Sequence, residues 1–466
     1  MKWTHSRLFL AIVALIGIVT FANLLQSFYR PYLPTITSLS TTNRSDVHEN
    51  ISHEDSASRI SSGQGVKNKN LDICENPYLQ PGYVWYSNTT EETNTTWVPF
   101  YPSLLDESYS STTLETTGEP VDPYTSDGDP YFPTEQPPQE LLDVSPHPWM
   151  QDIVRHYKLY NSSLALKQGG SSSRSREVLE REELENRLHW LRNRRILIVS
   201  DSVDRYQSEY ICNRLGLELI NSNKGRQTAS WCHIPMWNLT LMNWHIASVS
   251  PTKPAWWWIQ SMQIVNVEER WTEYYLPTLN DTIGMNGKSP DLILFHTGLW
   301  DHTYFIRAPE AIGGKASWAR SLNWRELRFY MQRVRMVITM LREQFGDDVP
   351  IMCRSVTLKK SLPSNVSILN LDRAARFVCN ELDIEIMEFG EIIRGYFEFY
   401  KDMVHIDRGP LSVLWANMVF WYLFRTQGGV EVRGDLIEMP SNGTEIVNVA
   451  KEWNTCHGDF MNAKRY

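Results

Sequence analysis

An acid and a hydroxyl stand where an apolar run stops: Ile196-Leu197-Ile198-Val199 leads into Ser200-Asp201-Ser202 and then into helix-like sequence. A serine at the junction of a buried strand and a helix sits at the rim of an α/β sheet, beside helix N-terminal N–H groups. Far along the chain, Asp402-Met403-Val404-His405 supplies an acid and an imidazole at a spacing that lets one orient the other. A serine hydroxyl is a poor nucleophile at neutral pH. It needs a base to take its proton and donors to hold the oxyanion that forms. His405 can be that base, since imidazole titrates near neutrality, and Asp402 would accept from the other ring nitrogen. Asp407 is a second candidate for the acid, although an acid near Gly409-Pro410 also suits a helix entry. Taken alone, Asp-Ser at a strand end is more often a helix cap, and D-x-x-H is common by chance. The combination, serine after the first strand of an α/β region and D-x-x-H after its last, points to acyl chemistry.

An oxyanion hole requires N–H groups aimed at one point. The amide of Ser202 is one candidate. Gly298 is another, because it follows the buried strand Asp291-Leu292-Ile293-Leu294-Phe295 through His296-Thr297, and glycine lets backbone approach a ligand closely. Trp300 suits the face of a sugar ring, with core packing an equal alternative. Trp256-Trp257-Trp258 poses the same choice, and there packing is the better reading.

These residues need a scaffold. The pattern predicts a charged amphipathic helix over 177–194, a strand over 196–199, a helix over 202–214 and a strand over 217–220. Further strands are expected at 291–295, 350–353 and 384–387, with a helix over 318–345 and helical sequence between the last two strands. Helices alternating with short, wholly apolar strands argue for a parallel sheet covered on both faces. Residues 411–424 are apolar enough to resemble a membrane span, but the run is too short and contains Asn417, so a buried helix is expected. No internal repeat is evident.

The ends bear on location. Residues 8–25 are apolar except for Thr20 and Asn23, and Lys2 and Arg7 precede them with no acid. That length spans a bilayer, and the charge favours a cytosolic N-terminus. A cleavable signal is the competing reading, but the run is long for one and no clear small-residue cleavage site follows. The expected layout is a cytosolic tail (1–7), a signal anchor (8–25), a flexible stem (26–71), a catalytic body (72–430) and a C-terminal extension (431–466). Flexible insertions are expected at about 103–140 and 166–175, where Ser, Thr, Pro and Gly dominate. Nine N-x-S/T sequons, at Asn43, Asn50, Asn88, Asn94, Asn161, Asn238, Asn280, Asn365 and Asn442, suit a secretory lumen. So do six cysteines, Cys74, Cys212, Cys232, Cys353, Cys379 and Cys456, an even count suggesting disulfides of undetermined pairing. Their spacing argues against zinc. The net charge of −9 argues against nucleic acid as the main partner.

The motifs resemble those of the PC-esterase group of the SGNH/GDSL superfamily, which includes plant trichome birefringence-like polysaccharide O-acetyltransferases and fungal relatives. In that group G-D-S opens a helix bearing Arg, Gln and then Cys. Here the sequence reads S-D-S-V-D-R-Y-Q-S-E-Y-I-C, with Ser202 at the nucleophile position, followed by Arg205, Gln207 and Cys212. The family's N-T-G-H-W block is matched loosely by His296-Thr297-Gly298-Leu299-Trp300, and its D-x-x-H block by Asp402 and His405. Cys74, Pro81-Gly82-Tyr83-Val84 and Trp97 are similar to its cysteine- and tryptophan-bearing N-terminal lobe. Two departures stand out: Ser200 replaces the motif's glycine, and His296 occupies an asparagine position. The resemblance implies an SGNH-like three-layer α/β/α fold with a parallel sheet. It further implies a Ser202–His405–Asp402 triad that is acylated by a donor and passes the acyl group to a sugar hydroxyl, with Gly298, Arg205, His296 and Trp300 serving the oxyanion or the substrate. No bound cofactor or metal is implied. Acetyl-CoA is the simplest donor, although no nucleotide-binding glycine loop is present, and a separate partner supplying acyl groups across the membrane is compatible with the reading.

A membrane-anchored, luminal glycan O-acetyltransferase of the Golgi or secretory pathway is thus the expected function. An esterase or deacetylase with the same triad is the nearest alternative. A type II glycosyltransferase shares the anchor and stem, but Asp127-Gly128-Asp129 lies in a Pro- and Ser/Thr-rich stretch rather than at a strand end. A non-catalytic glycan-binding protein is the third reading.

Overall fold

Residues 196–199 are apolar on both sides of the pleat, so the strand they form, β3 (Arg195–Ser200), must be covered on both faces. In the computed structural model Ile196 and Ile198 enter one core while Leu197 and Val199 enter another. The structure describes residues 76–87, 94–100, 141–142, 145–166, 174–222, 229–250, 266–281, 288–406 and 408–426, with the single positions 137 and 285. The anchor, the stem, nearly all of 103–140, the linker 167–173 and the extension 431–466 fall outside them. So do Cys74, Cys456, Trp256-Trp257-Trp258, Asp127-Gly128-Asp129 and Asp407. Among the described residues no helix is long and apolar enough to cross a membrane.

A seven-stranded sheet runs in the order β4 (Ile220–Asn221), β5 (Ala229–Ile234), β6 (Leu239–His245), β3, β7 (Leu292–Phe295), β8 (Ile351–Arg354) and β9 (Glu385–Met387). From β6 to β9 all neighbours are parallel, whereas β5 is antiparallel to β6, and β4 to β5. The expected all-parallel sheet is therefore corrected to a mostly parallel one with an antiparallel edge. A tight connection makes the β5–β6 pair a hairpin, and a parallel pairing would have needed a crossover. The strand expected over 217–220 shrinks to the two exposed residues of β4 at that edge.

Helices cover both faces. On one side lie α1 (Trp149–Leu166), α3 (Ser202–Arg214) and α7 (Pro410–Arg425), which share a core with Ile198, Leu294 and Met352. On the other lie α5 (Trp324–Phe345) and α6 (Val366–Glu381), packed on Leu197, Phe295 and Cys353. Two further helices border the sheet: α2 (Arg174–Leu188), with a 3-10 turn at its end, and α4 (Leu299–Arg307). The helix expected over 177–194 thus stops at Leu188. That expected over 318–345 begins only at Trp324, where Asn323 and Glu326 form a capping box that fixes the start.

The apolar run before residue 425 is the buried helix α7, opened by Pro410 at its first turn. Its Asn417 is fully satisfied: Oδ1 accepts from the Met150 amide at 2.8 Å and Nδ2 donates to the Thr95 carbonyl at 2.9 Å. The second contact ties α7 to a small hairpin, β1 (Gly82–Tyr86) with β2 (Thr95–Pro99), whose Trp97 is buried in the same core. Two disulfides join helices to strands, Cys212–Cys232 from α3 to β5 and Cys353–Cys379 from β8 to α6. Among the described sequons, Asn161 and Asn238 have exposed side chains, and Asn94 and Asn365 are half-buried. Asn280 falls in the short helix Leu276–Asp281. Asn43, Asn50, Asn88 and Asn442 lie outside the described residues.

Candidate active site

The carboxyl ends of β6, β3, β7 and β8 lie side by side, and the residues just beyond them build the site, as the topology of open α/β sheets directs. β3 ends at Ser200, and Asp201 caps α3, its Oδ1 accepting from the Val203 amide at 2.9 Å. Ser202 is the first residue of the helix. Its amide and that of Gly298 donate to no acceptor among the described residues. Ser200, in the place of a motif glycine, keeps ordinary backbone angles, and its buried hydroxyl accepts from Asn243 Nδ2 of β6 at 3.0 Å. The turn here does not require glycine.

Ser202 Oγ lies 2.7 Å from His405 Nε2, across 203 residues of sequence. The other ring nitrogen, Nδ1, lies 2.7 Å from Asp402 Oδ2. Asp402 Oδ1 accepts from the amides of Val404 and His405 at 2.8 and 2.9 Å. Partial burial opposes the charge on Asp402, but these amides and the imidazole outweigh it and hold the carboxyl below its ordinary range. A donor at Nδ1 leaves the Nε2 lone pair facing the serine, the tautomer a general base requires.

The loop that carries His405 is tied from several sides. Lys401 N donates to the His405 carbonyl at 2.9 Å, and Lys360 N to the Met403 carbonyl at 2.8 Å. Tyr400 and Ile406 make a β-bridge. Beneath the loop a small apolar cluster joins every element of the site: Val203 after the serine, Leu299 after Gly298, Val356 after β8, Ile368 of α6, and Val404 beside the imidazole.

Gly298 has φ of 140°, a backbone region that side chains rarely adopt, and a Cβ there would come within 3.0 Å of Val356 Cγ2. It caps α4 at the mouth of the site. His296, just past β7, is buried. Its Nδ1 is 3.2 Å from the Arg354 carbonyl, and its Nε2 is 3.7 Å from Asp201 Oδ2. Burial opposes the charge on Asp201, yet His296, Arg354 and the Val203 amide together keep its carboxyl ionised far below the usual range. Trp300 is half-buried, with its ring 6.3 Å from that of His245. Arg205 lies over the ring of its neighbour Tyr206, 4.8 Å from the centroid, and Tyr206 meets the His405 ring edge-on at 4.8 Å.

Sequence reasoning missed several groups that complete the site. Asp204, two residues after Ser202, forms a fully buried ion pair with Arg354 at 2.7 Å and accepts from Trp415 Nε1 at 2.9 Å. Gln207 was noted for its spacing only; it holds the Ile406 carbonyl. His245, at the end of β6, is 2% exposed, and the signal that would have revealed it was the strand Leu239–His245 itself.

No family model matches the chain, and no curated protein matches it. Solved structures do. An acetyl xylan esterase, AlAXEase, aligns at 12% identity over 49% of this chain and 97% of its own, with a TM-score of 0.28. Axe2, an acetylxylan esterase from Geobacillus stearothermophilus, aligns at 12% identity over 52% of this chain and 98% of its own, with a TM-score of 0.29. A lipase/acylhydrolase from Enterococcus faecalis aligns at 12% identity over 50% and 93%, with a TM-score of 0.26.

Proposed function

We propose that this chain is a serine acyl-ester enzyme of the SGNH/GDSL kind, and specifically an O-acetyltransferase of the PC-esterase group. The single observation that carries the reading is the 2.7 Å approach of Ser202 Oγ to His405 Nε2, with Asp402 on the far ring nitrogen. In the first half-reaction Ser202 Oγ attacks the donor's acyl carbonyl while His405 Nε2 takes its proton. The tetrahedral oxyanion is received by the amides of Ser202 and Gly298. Collapse breaks the bond to the donor's leaving group, which takes the proton from His405 and departs, leaving acyl-Ser202. In the second half a glycan hydroxyl gives its proton to His405 and attacks the acyl carbonyl, and Ser202 Oγ leaves by taking that proton back from His405.

A glycan or related acceptor, an acetyl donor such as acetyl-CoA and residence in the secretory lumen behind an N-terminal anchor complete the proposal. Sequons, paired cysteines and the apolar segment at 8–25 support it. Hydrolysis is the second reading. The triad is open to solvent, with the His405 side chain 19% and that of Asp402 48% exposed, so water can reach an acyl carbonyl on Ser202. Incubating the protein with labelled acetyl donor, with and without glycan, tests both. Label on the glycan supports transfer, label released as acetate in its presence supports hydrolysis, and the absence of a covalent adduct on Ser202 overturns the mechanism.

A further inference from the structure

Ser202, Arg205 and Tyr206 are spaced i, i+3 and i+4, so they share one face of the first turns of α3. A substrate whose carbonyl meets Ser202 Oγ therefore borders the Arg205 guanidinium. The acids around the site are already engaged. Asp204 pairs with Arg354, Asp402 accepts from His405 and two amides, and Asp201 accepts from Val203 and faces His296. The Arg205 guanidinium has no ion pair and no hydrogen bond among the described residues; it lies over the Tyr206 ring. Arginine is the side chain best shaped to bind carboxylate or phosphate oxygens in pairs.

A second observation lies on the strand next door. His245 is Cα partner to Ser200, so its ring stands beside the nucleophile turn, edge-on to Trp300. It is almost wholly buried, and neither ring nitrogen has a hydrogen-bond partner among the described residues. The charges of Arg270, Asp201 and Arg205 all reach it. A buried imidazole left without a partner is costly. Arg270 pins the strand end by donating to the His245 carbonyl at 3.1 Å.

We infer that Arg205 and His245 form a receptor for an anionic group of the substrate, a uronate carboxylate on the acceptor or a phosphate on an activated acyl donor. The inference deepens the acyl-enzyme reading and rests on it for its place beside Ser202. Recognition by Arg205 fixes the ligand's charge, and His245 adds a directional N–H.

Titration calorimetry on the full-length Ser202→Ala protein tests this without turnover. The probes are two pairs: a glucuronate-bearing xylotetraose against plain xylotetraose, and coenzyme A against pantetheine. The anionic member of at least one pair should bind about tenfold tighter or better, as a charge-assisted pair of hydrogen bonds provides. Which pair shows the preference identifies the source of the anion. In the Ser202→Ala, Arg205→Gln protein that preference should shrink about tenfold, with Arg205→Lys restoring part of it. Equal binding within both pairs, or a preference that survives Arg205→Gln in protein with unchanged near-ultraviolet circular dichroism, overturns the inference. Fluorophosphonate labelling of Ser202 in the unmodified protein reports separately on the enzyme reading. Labelling without charge preference sinks the receptor alone, and charge preference without labelling sinks the acyl-enzyme alone.

Discussion

Gln207 Nε2 donates to the Ile406 carbonyl at 2.7 Å, one residue past the imidazole that meets Ser202. Nucleophile and base come from segments far apart in the chain, and this buried bond fastens the helix of one to the loop of the other. In Gln207→Leu the Ile406 carbonyl loses its donor, at a cost of about 1–3 kcal/mol. The base loop then shifts against the serine, and small misplacements at a reacting centre cost about 10- to 100-fold in rate. We expect kcat toward a small acetyl ester to fall by such a factor with KM little changed. Unchanged kcat in folded protein would show that the loop is positioned by its other ties.

Substitutions within the triad should differ in kind. Ser202→Ala removes the atom that forms the covalent bond, so labelled acetate should leave no adduct on the protein. Asp402→Asn keeps the shape but loses the charge that steadies imidazolium, and the rate should drop on the order of 10³-fold while slow acylation persists. Mass spectrometry of protein quenched after exposure to acetyl donor distinguishes these outcomes. A full-strength adduct in Ser202→Ala would falsify the assigned nucleophile.

Gly298 offers a test of backbone geometry. An alanine there meets two penalties: a positive φ, and a Cβ 3.0 Å from Val356 Cγ2. Together they should cost about 1–3 kcal/mol and move the amide proposed to face the oxyanion. Adding Val356→Ala removes the contact but not the backbone strain. The double variant should therefore regain only part of the stability, as read by chemical denaturation, and little of the activity. Full recovery of both would mean that the turn itself tolerates a side chain.

How much of this could be read from residues alone follows from where the information resides. Ser202, Asp402 and His405 carry local signatures, an abrupt end to an apolar strand and an acid three residues before a histidine, so they could be found without a fold. The β5–β6 hairpin could not, because Ser230, Thr240, Asn243 and His245 are buried polar residues that break the apolar run by which a covered strand is recognised. The partners that make the burial of Asn243 tolerable, the Ile198 carbonyl and Ser200 Oγ, belong to the neighbouring strand. Arg354 was hidden for the same reason. A charged residue closing a short strand reads as exposed until Asp204, from a different strand–helix turn, is seen to neutralise it. His296 shows the converse: its place in a motif suggests a role toward the oxyanion or the substrate, but its neighbours, the Arg354 carbonyl and Asp201, are set by the fold alone.

Lys359 gives the last prediction, one of pH. It is 7% exposed, and its Nζ donates to the Leu299 carbonyl at 3.3 Å and to His302 Nδ1 and Thr303 Oγ1, both at 3.1 Å. All three acceptors are on α4, so the ammonium holds the helix that begins beyond Gly298. Burial pushes His302 down to about 3, which keeps its ring neutral and able to accept. Burial likewise pushes the Lys359 ammonium down to about 8, only partly offset by the charge of Asp201. An unfolded lysine titrates near 10.4. Between these two values the unfolded chain binds a proton that the folded chain has released, so stability contributed by this group rises with pH. Below the lower value both states hold the proton and the desolvation penalty is constant. Denaturant titrations of the unmodified protein and Lys359→Met, at about pH 7 and about pH 9.5, should show the unmodified protein gaining on the order of 1–2 kcal/mol relative to the variant at the higher pH. Parallel pH dependences of the two proteins would mean that the ammonium is as well solvated in the fold as in the unfolded chain.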